Sequence, residues 1–354
     1  ENFGLNVSGF HERMRKRMED FPLSINATST HDTKRGEDAR MRINVLSELG
    51  EEWFEKVKEW KEIGTSIREK GTAPDANEEY FIFQMLIGAW PFKGEPGEEF
   101  VDRSTAYLQK VLREAKENSS WAAPDEEYEN RVYDYLKSLL KKGKFRSSFL
   151  DFQERIKGYG ALKSLSQSVL KITAPGIPDI YQGSECWDLS YVDPDNRRPV
   201  DYTYRKNVLS EIKAFSSESI KVELKGLKLN FFNGKIKMYC IHRALQVRNS
   251  FKEVFEVGEY IPLEVSGKYL ETVLAFARKQ GDKYVLVIVP VLVTGLFDHD
   301  LNLKNSVGEE EILKLPEGFP QEWKNAFSEE IFDIKQFSAG DLFEHFPVAL
   351  LTNS

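Results

Sequence analysis

From residue 37 to residue 142 the apolar side chains recur at helical spacing, and no strand signal interrupts them. Ile43, Leu46 and Leu49 are followed by Trp53, Val57 and Trp60, with Gly50 as the expected break between two helices. Further helices are expected over 78–89, 98–118 and 125–142. A strand-like stretch stands on either side of this block. One covers 23–30, after a basic amphipathic helix over 10–20. The other lies within 174–185, after a helix over 149–168 and the β-branched run 169–173. A crossover between parallel strands needs only about a dozen residues. The hundred-residue helical block therefore reads as an insertion between strands of one barrel. A closing helix is expected over 204–215. Beyond about Lys225 a helix over 237–248 gives way to short β runs at 259–263, 272–278, 284–289 and 347–351, which read as a small antiparallel β domain.

Bulk properties narrow the function. The 49 basic and 57 acidic residues give a net charge of −8, which argues against nucleic acid as the main ligand. Only Cys186 and Cys240 occur, with no CxxC spacing, so neither a disulfide framework nor a zinc site is expected; a reducing, cytoplasmic setting is. No apolar run reaches the roughly 18 residues needed to span a bilayer. The chain shows neither an initiating Met nor a signal peptide. Phosphate-loop, zincin and serine-hydrolase motifs are missing, and nothing calls for a metal or a cofactor.

Chemistry concentrates in two polar segments, each placed just after a strand-like stretch, where barrel enzymes carry their active sites. The first is Ala27-Thr28-Ser29-Thr30-His31-Asp32-Thr33-Lys34-Arg35, with Glu37-Asp38 beyond it. Asp32 is read either as a functional carboxylate beside His31 or as the N-cap of the coming helix. The second runs from Tyr181 to Arg198 and holds Gln182, Glu185, Asp193, Asp195, Arg197 and Arg198. Its carboxylates and guanidinium groups either join Asp32 around a common cleft for a polyhydroxylated ligand or brace the loop. Trp53 and Trp60, seven apart, are expected in the core rather than as a sugar platform.

At these residues the chain resembles a family. Ser29-Thr30-His31-Asp32 and Gly176-Ile177-Pro178-Asp179-Ile180-Tyr181-Gln182-Gly183-Ser184-Glu185 resemble signature regions of the α-amylase superfamily of glycoside hydrolases, the second being its loop after barrel strand eight. The longer string around His31-Asp32, and Asp193-Pro194-Asp195-Asn196-Arg197-Arg198-Pro199-Val200, are similar to the maltooligosyltrehalose synthase family within it. The similarity extends to the helical insertion, with its Ser120-Trp121, and to the β domain. The resemblance implies the C-terminal part of a (β/α)8 barrel with a large helical insertion, followed by an antiparallel β domain. The expected division is 1–36 with strand seven, 37–148 for helix seven and the insertion, 149–224 for the strand-eight region and closing helix, and 225–354 for the β domain.

The resemblance further implies an isomerising transglycosylase acting on malto-oligosaccharides, or else a hydrolase of the same glucans. Asp32 matches the acidic residue that stabilises the transition state, and His31 an imidazole touching the same sugar. Lys34, Arg35, Tyr181, Gln182, Glu185, Asp195, Arg197 and Arg198 are expected to line the substrate. In the family the nucleophilic Asp and the acid/base Glu lie on earlier strands, and the thirty residues before His31 hold no such strand. The chain is therefore expected to need an N-terminal barrel half as its partner. A non-catalytic glucan-binding fragment is the remaining reading.

Overall fold

The structure, a computed structural model, describes residues 4–68, 73–333 and 335–353. Helix α1 (Val7–Asp20) leads to a two-residue strand, β1 (Ile25–Asn26). Helices α2 (Glu37–Val45), α3 (Gly50–Ile67), α4 (Ala76–Ala89), α5 (Glu98–Ala115), α6 (Glu126–Leu140) and α7 (Lys144–Thr173) follow, and then strand β2 (Ile177–Pro178). The remainder comprises α8 (Tyr202–Lys213), α9 (Ile220–Leu229), α10 (Lys235–Ser250), α11 (Lys252–Glu256), β3 (Glu259–Pro262), β4 (Val273–Gln280), β5 (Lys283–Pro290), α12 (Asn305–Gly308), β6 (Glu311–Lys314), β7 (Glu322–Asn325), β8 (Ile331–Asp333), β9 (Gln336–Ser338), α13 (Ala339–Phe343) and β10 (Ala349–Thr352).

The chain forms two compact units. One takes His31–Gly160 and Asp188–Arg198; the other takes Glu1–Thr30, Ala161–Trp187 and Pro199–Ser354. The first is helical around an aromatic core. Trp60 is fully buried, its ring 5.5–5.9 Å from those of Trp53, Phe83, Phe145, Phe149 and Phe152. The indole N–H of Trp60 donates to Ser148 Oγ at 3.0 Å and that of Trp53 to Tyr80 OH at 3.0 Å. Both tryptophans are core residues, because a buried indole still needs an acceptor and finds one here. Buried Glu79 accepts from Tyr135 OH at 2.5 Å and pairs with Arg68 at 2.7 Å. A Cβ on Gly64 would overlap the Tyr135 hydroxyl at 2.2 Å, so the bare backbone is what lets this pair close.

In the second unit a six-stranded antiparallel sheet runs in the order β3-β4-β5-β10-β7-β8, and β6 pairs with β9 separately. The centre of β4 and nearly all of β5 are buried. Arg278, fully buried in β4, donates to the carbonyls of Thr173, Phe255, Gly258 and Glu259 at 3.1–3.3 Å. Burial pulls its pKa down to about 10. It thereby pins the end of α7 to the sheet.

The same unit contains the parallel pair β1–β2, with Ile25 opposite Ile177 and Asn26 opposite Pro178. Asn26 Nδ2 donates to the carbonyls of Lys171 and Pro175 at 3.2 Å each, and Arg17 Nη2 reaches Ile25 O at 3.2 Å. Gly176 has φ +125°, and a Cβ there would sit 2.6 Å from Ser24 O and Asn26 Oδ1. Conformation and space both demand glycine.

Several expected bounds shift. The strand expected over 23–30 pairs only at Ile25–Asn26. Residues 169–173 are not extended but close α7, where Val169, Ile172 and Thr173 are fully buried. Thr173 Oγ1 there donates back to Val169 O at 2.7 Å, as helical threonines can. Helix α9 and strands β6 to β9 lie where no element is expected.

Candidate active site

Asp32 does not cap the helix that follows it. The N-cap of α2 is Gly36, without a side-chain bond, and the first turn holds Glu37 and Asp38, both buried. Asp32 stands four residues earlier and His31 beside it, with Nε2 and Oδ2 3.1 Å apart and side chains 56% and 77% exposed.

The 188–198 loop holds this segment in place. Gly36 N donates to Ser190 O at 2.8 Å, Arg35 and Tyr191 form an antiparallel bridge, and Asn196 Nδ2 donates to His31 O at 3.0 Å. Asp38 Oδ2 accepts from Asp188 N at 2.5 Å. A Cβ on Gly36 would lie 2.6 Å from Asp188 Oδ2 and 2.7 Å from its carbonyl oxygen, so only glycine permits this approach.

The loop is fixed in turn by a polar row along α5. Arg103 makes a bidentate pair with Asp195 at 2.6 and 2.8 Å, and Asp195 Oδ2 also accepts from Tyr191 N at 2.8 Å. Lys110 Nζ reaches Asp193 Oδ1 at 2.8 Å. That bond, with Arg197 and His31 nearby, holds the Asp193 carboxyl below its ordinary range. Glu99 accepts from Arg198 Nη1 at 2.9 Å, and Glu114 from Lys34 Nζ at 2.9 Å, which raises the pKa of Lys34. Tyr191 is fully buried, stacked on Tyr107 with centroids 4.5 Å apart and bonded to Ser104 Oγ at 2.9 Å.

The structure thus gathers His31, Asp32, Lys34, Arg35, Asp195, Arg197 and Arg198 in one unit. Asp195 acts there as a brace, while Arg197 and Arg198 are about half exposed. Arg35 lies over the Phe81 ring at 5.0 Å, and its Nε and Nη2 are buried with no protein acceptor. Sequence reading missed Glu99, Arg103, Lys110 and Glu114. Their spacing of four, seven and four puts them on one helical face. That was the available signal, but their partners lie roughly 80 to 100 residues away in the chain.

Tyr181, Gln182 and Glu185 belong to the other unit, in the turn after β2. Ser184 N and Oγ both donate to Tyr181 O, at 3.1 and 2.7 Å, and Gly183 adopts φ +85°. Glu185 Oε2 accepts from Arg205 Nε at 3.1 Å, and Arg205 Nη2 donates to Gly183 O at 2.7 Å. Gln182 is exposed and Tyr181 partly so. Among the described residues no cluster of three or more His, Cys, Asp or Glu could hold a metal ion, and no helix is long and apolar enough to cross a membrane.

No family model matches the chain. It is 33% identical over 350 residues to a putative maltooligosyl trehalose synthase of Mycobacterium tuberculosis, covering 99% of this chain and 40% of that protein. A crystal structure of a maltooligosyl trehalose synthase is 33% identical with a TM-score of 0.79, over 99% of this chain and 42% of that one. The maltooligosyltrehalose synthase from Arthrobacter ramosus is 27% identical with a TM-score of 0.80, over 99% and 41%. The likeness read from the motifs therefore holds over the whole chain, in sequence and in fold. The chain spans about 40% of the length of the curated relatives it matches.

Proposed function

We propose that this chain carries part of the active site of an intramolecular transglycosylase. The enzyme would convert the reducing-end α-1,4 linkage of a malto-oligosaccharide to α,α-1,1, leaving a trehalose terminus. The observation that carries the reading is the exposed His31–Asp32 pair on a braced segment, in a chain similar over 99% of its length to maltooligosyltrehalose synthases.

Retaining glycosyl transfer uses one carboxylate as nucleophile and a second as acid/base. In this proposal both come from a segment outside this chain, which completes a (β/α)8 barrel containing β1 and β2 as strands seven and eight. The four-part division at 36, 148 and 224 belongs to the same reading. Asp32 supplies a third carboxylate. It accepts hydroxyl hydrogen bonds and opposes the positive charge that develops at the anomeric carbon. His31, 3.1 Å away, touches the same sugar. Arg35, stacked over Phe81, is proposed as a substrate-lining residue beside them. Lys34, Arg197 and Arg198 are proposed as further substrate-lining residues, with Asp195 holding their loop; Tyr181, Gln182 and Glu185 are proposed as glucan contacts of their own unit. Transfer within the bound sugar, rather than to water, requires that the released glucose be held until its own anomeric hydroxyl attacks, so tight binding on that side is a condition of the reaction. The buried thiols of Cys186 and Cys240, neither of them in a disulfide, fit a reducing compartment such as the cytoplasm.

The test is Asp32→Asn in the assembled enzyme, with turnover of maltopentaose and glucan binding measured side by side. Removing a preorganised electrostatic group at the reacting centre is expected to cost about 10²–10³-fold in kcat, with binding largely kept. Unchanged turnover would overturn the assignment and leave the chain a glucan-binding element.

A further inference from the structure

Trp121 stands between α5 and α6 with 56% of its surface exposed. Leaving an indole in water forgoes the gain that burial would bring, and a loose loop would fold it away. This loop is not loose. The Arg113 guanidinium lies 5.0 Å from the centre of the Trp121 ring and is held by Glu129 through two bonds of 2.8 Å. Buried Glu129 also accepts from Ser119 Oγ at 2.5 Å and Tyr133 OH at 3.4 Å. Ser119 Oγ accepts from Asp125 N at 3.1 Å and Ser120 Oγ from Ala123 N at 3.0 Å. Asn118 Nδ2 is tied to Asp75, Glu78 and Tyr128, each at 3.0 Å. Residues on both sides of the indole are thus fixed, and the ring is held outward by design of its surroundings.

The platform also shares helix α5 with a residue that anchors the candidate active-site segment. Glu114, next to Arg113 on α5, accepts from Lys34 at 2.9 Å, and Lys34 is two residues from Asp32. The Lys34–Glu114 pair and the Arg113–Glu129 clamp thus start from neighbouring positions of α5, within the unit that holds His31–Asp32.

The geometry points to Trp121 as a distal sugar-binding platform that selects for long glucan chains. The indole face meets the C–H face of a glucosyl unit a few sugars from the reacting linkage, and the charged groups beside it meet the hydroxyls. This rests on the glucan reading above and adds a chain-length determinant to it.

The test compares maltotriose and maltoheptaose on the assembled enzyme carrying Trp121→Ala or Trp121→Phe. Calorimetric binding and steady-state kinetics are read together. For Trp121→Ala, KM and Kd for maltoheptaose are expected to rise roughly three- to tenfold, with kcat and all maltotriose values unchanged. Trp121→Phe keeps a ring and is expected to retain most of the affinity, which also covers the case in which the alanine variant folds poorly. An equal response at both chain lengths, or none, would overturn the platform. So would unchanged glucan binding with weakened association of the barrel-completing segment, which would mark Trp121 as a protein contact. Length-selective weakening in an enzyme that forms no trehalose linkage would uphold the platform and sink the proposed reaction instead.

Discussion

The two sheets within one unit differ in how completely they are covered. In the six-stranded antiparallel sheet, six consecutive residues of β4 and seven of β5 are buried, and Arg278 secures its edge with four carbonyls. The parallel β1–β2 pair is two residues long, and its facing side chains Ile25 and Ile177 are 69% and 46% exposed. Parallel sheets are ordinarily buried on both faces, and an open strand edge invites another strand. In the proposed enzyme the parallel pair is a seam that further strands would complete. The His31–Asp32 segment follows the seam in sequence, which is what an active site completed by further strands would require.

Substitutions can sharpen or break this contrast. The largest effect is expected in the antiparallel sheet. Phe276→Ala empties a fully buried site, and a loss of about 3–5 kcal/mol is expected from chemical denaturation. Next, Glu129→Gln weakens the clamp on Arg113, at about 1.5–3 kcal/mol. Glu129 titrates below its ordinary range, chiefly through its bond to Arg113. Its contribution is therefore complete above the unfolded Glu pKa, about 4.3, and is lost as pH falls through the lower folded value. The melting-temperature gap between wild type and Glu129→Gln should close on acidification across that range. A gap that stayed constant would contradict the ion-pair account.

Gly36→Ala drives a Cβ into Asp188 and is expected to cost about 1–3 kcal/mol. It should also displace His31–Asp32, so turnover should fall more than stability alone explains. The smallest stability effect belongs to the seam. Ile25→Ser is expected to move stability by less than about 0.5 kcal/mol, yet to weaken capture of the barrel-completing segment in a pull-down. A large stability loss with capture intact would reverse the comparison.

Legibility in the sequence follows the same division. Helices α3 to α6 were readable because their apolar faces repeat over fourteen to eighteen residues. Strands β4 and β5 were readable as dense apolar runs flanking Gly281. Strands β6 to β9 were not, because their three or four residues mix charged or polar with apolar side chains and form no apolar run. Residues 169–173 look extended by composition, and burial against the core keeps them helical. Of the candidate site, the His31–Asp32 pair and the 193–198 loop were visible as strings. The α5 partners that hold the loop were hidden by sequence distance, and Trp121 mattered only once its exposure and its clamp were seen together.

The most direct test of the central claim follows reducing ends and free glucose together while the assembled enzyme acts on maltopentaose. Loss of reducing ends without matching glucose release is the predicted result, because an α,α-1,1 linkage has no free anomeric carbon. Rising reducing ends would show water as the acceptor and contradict the proposed transglycosylation.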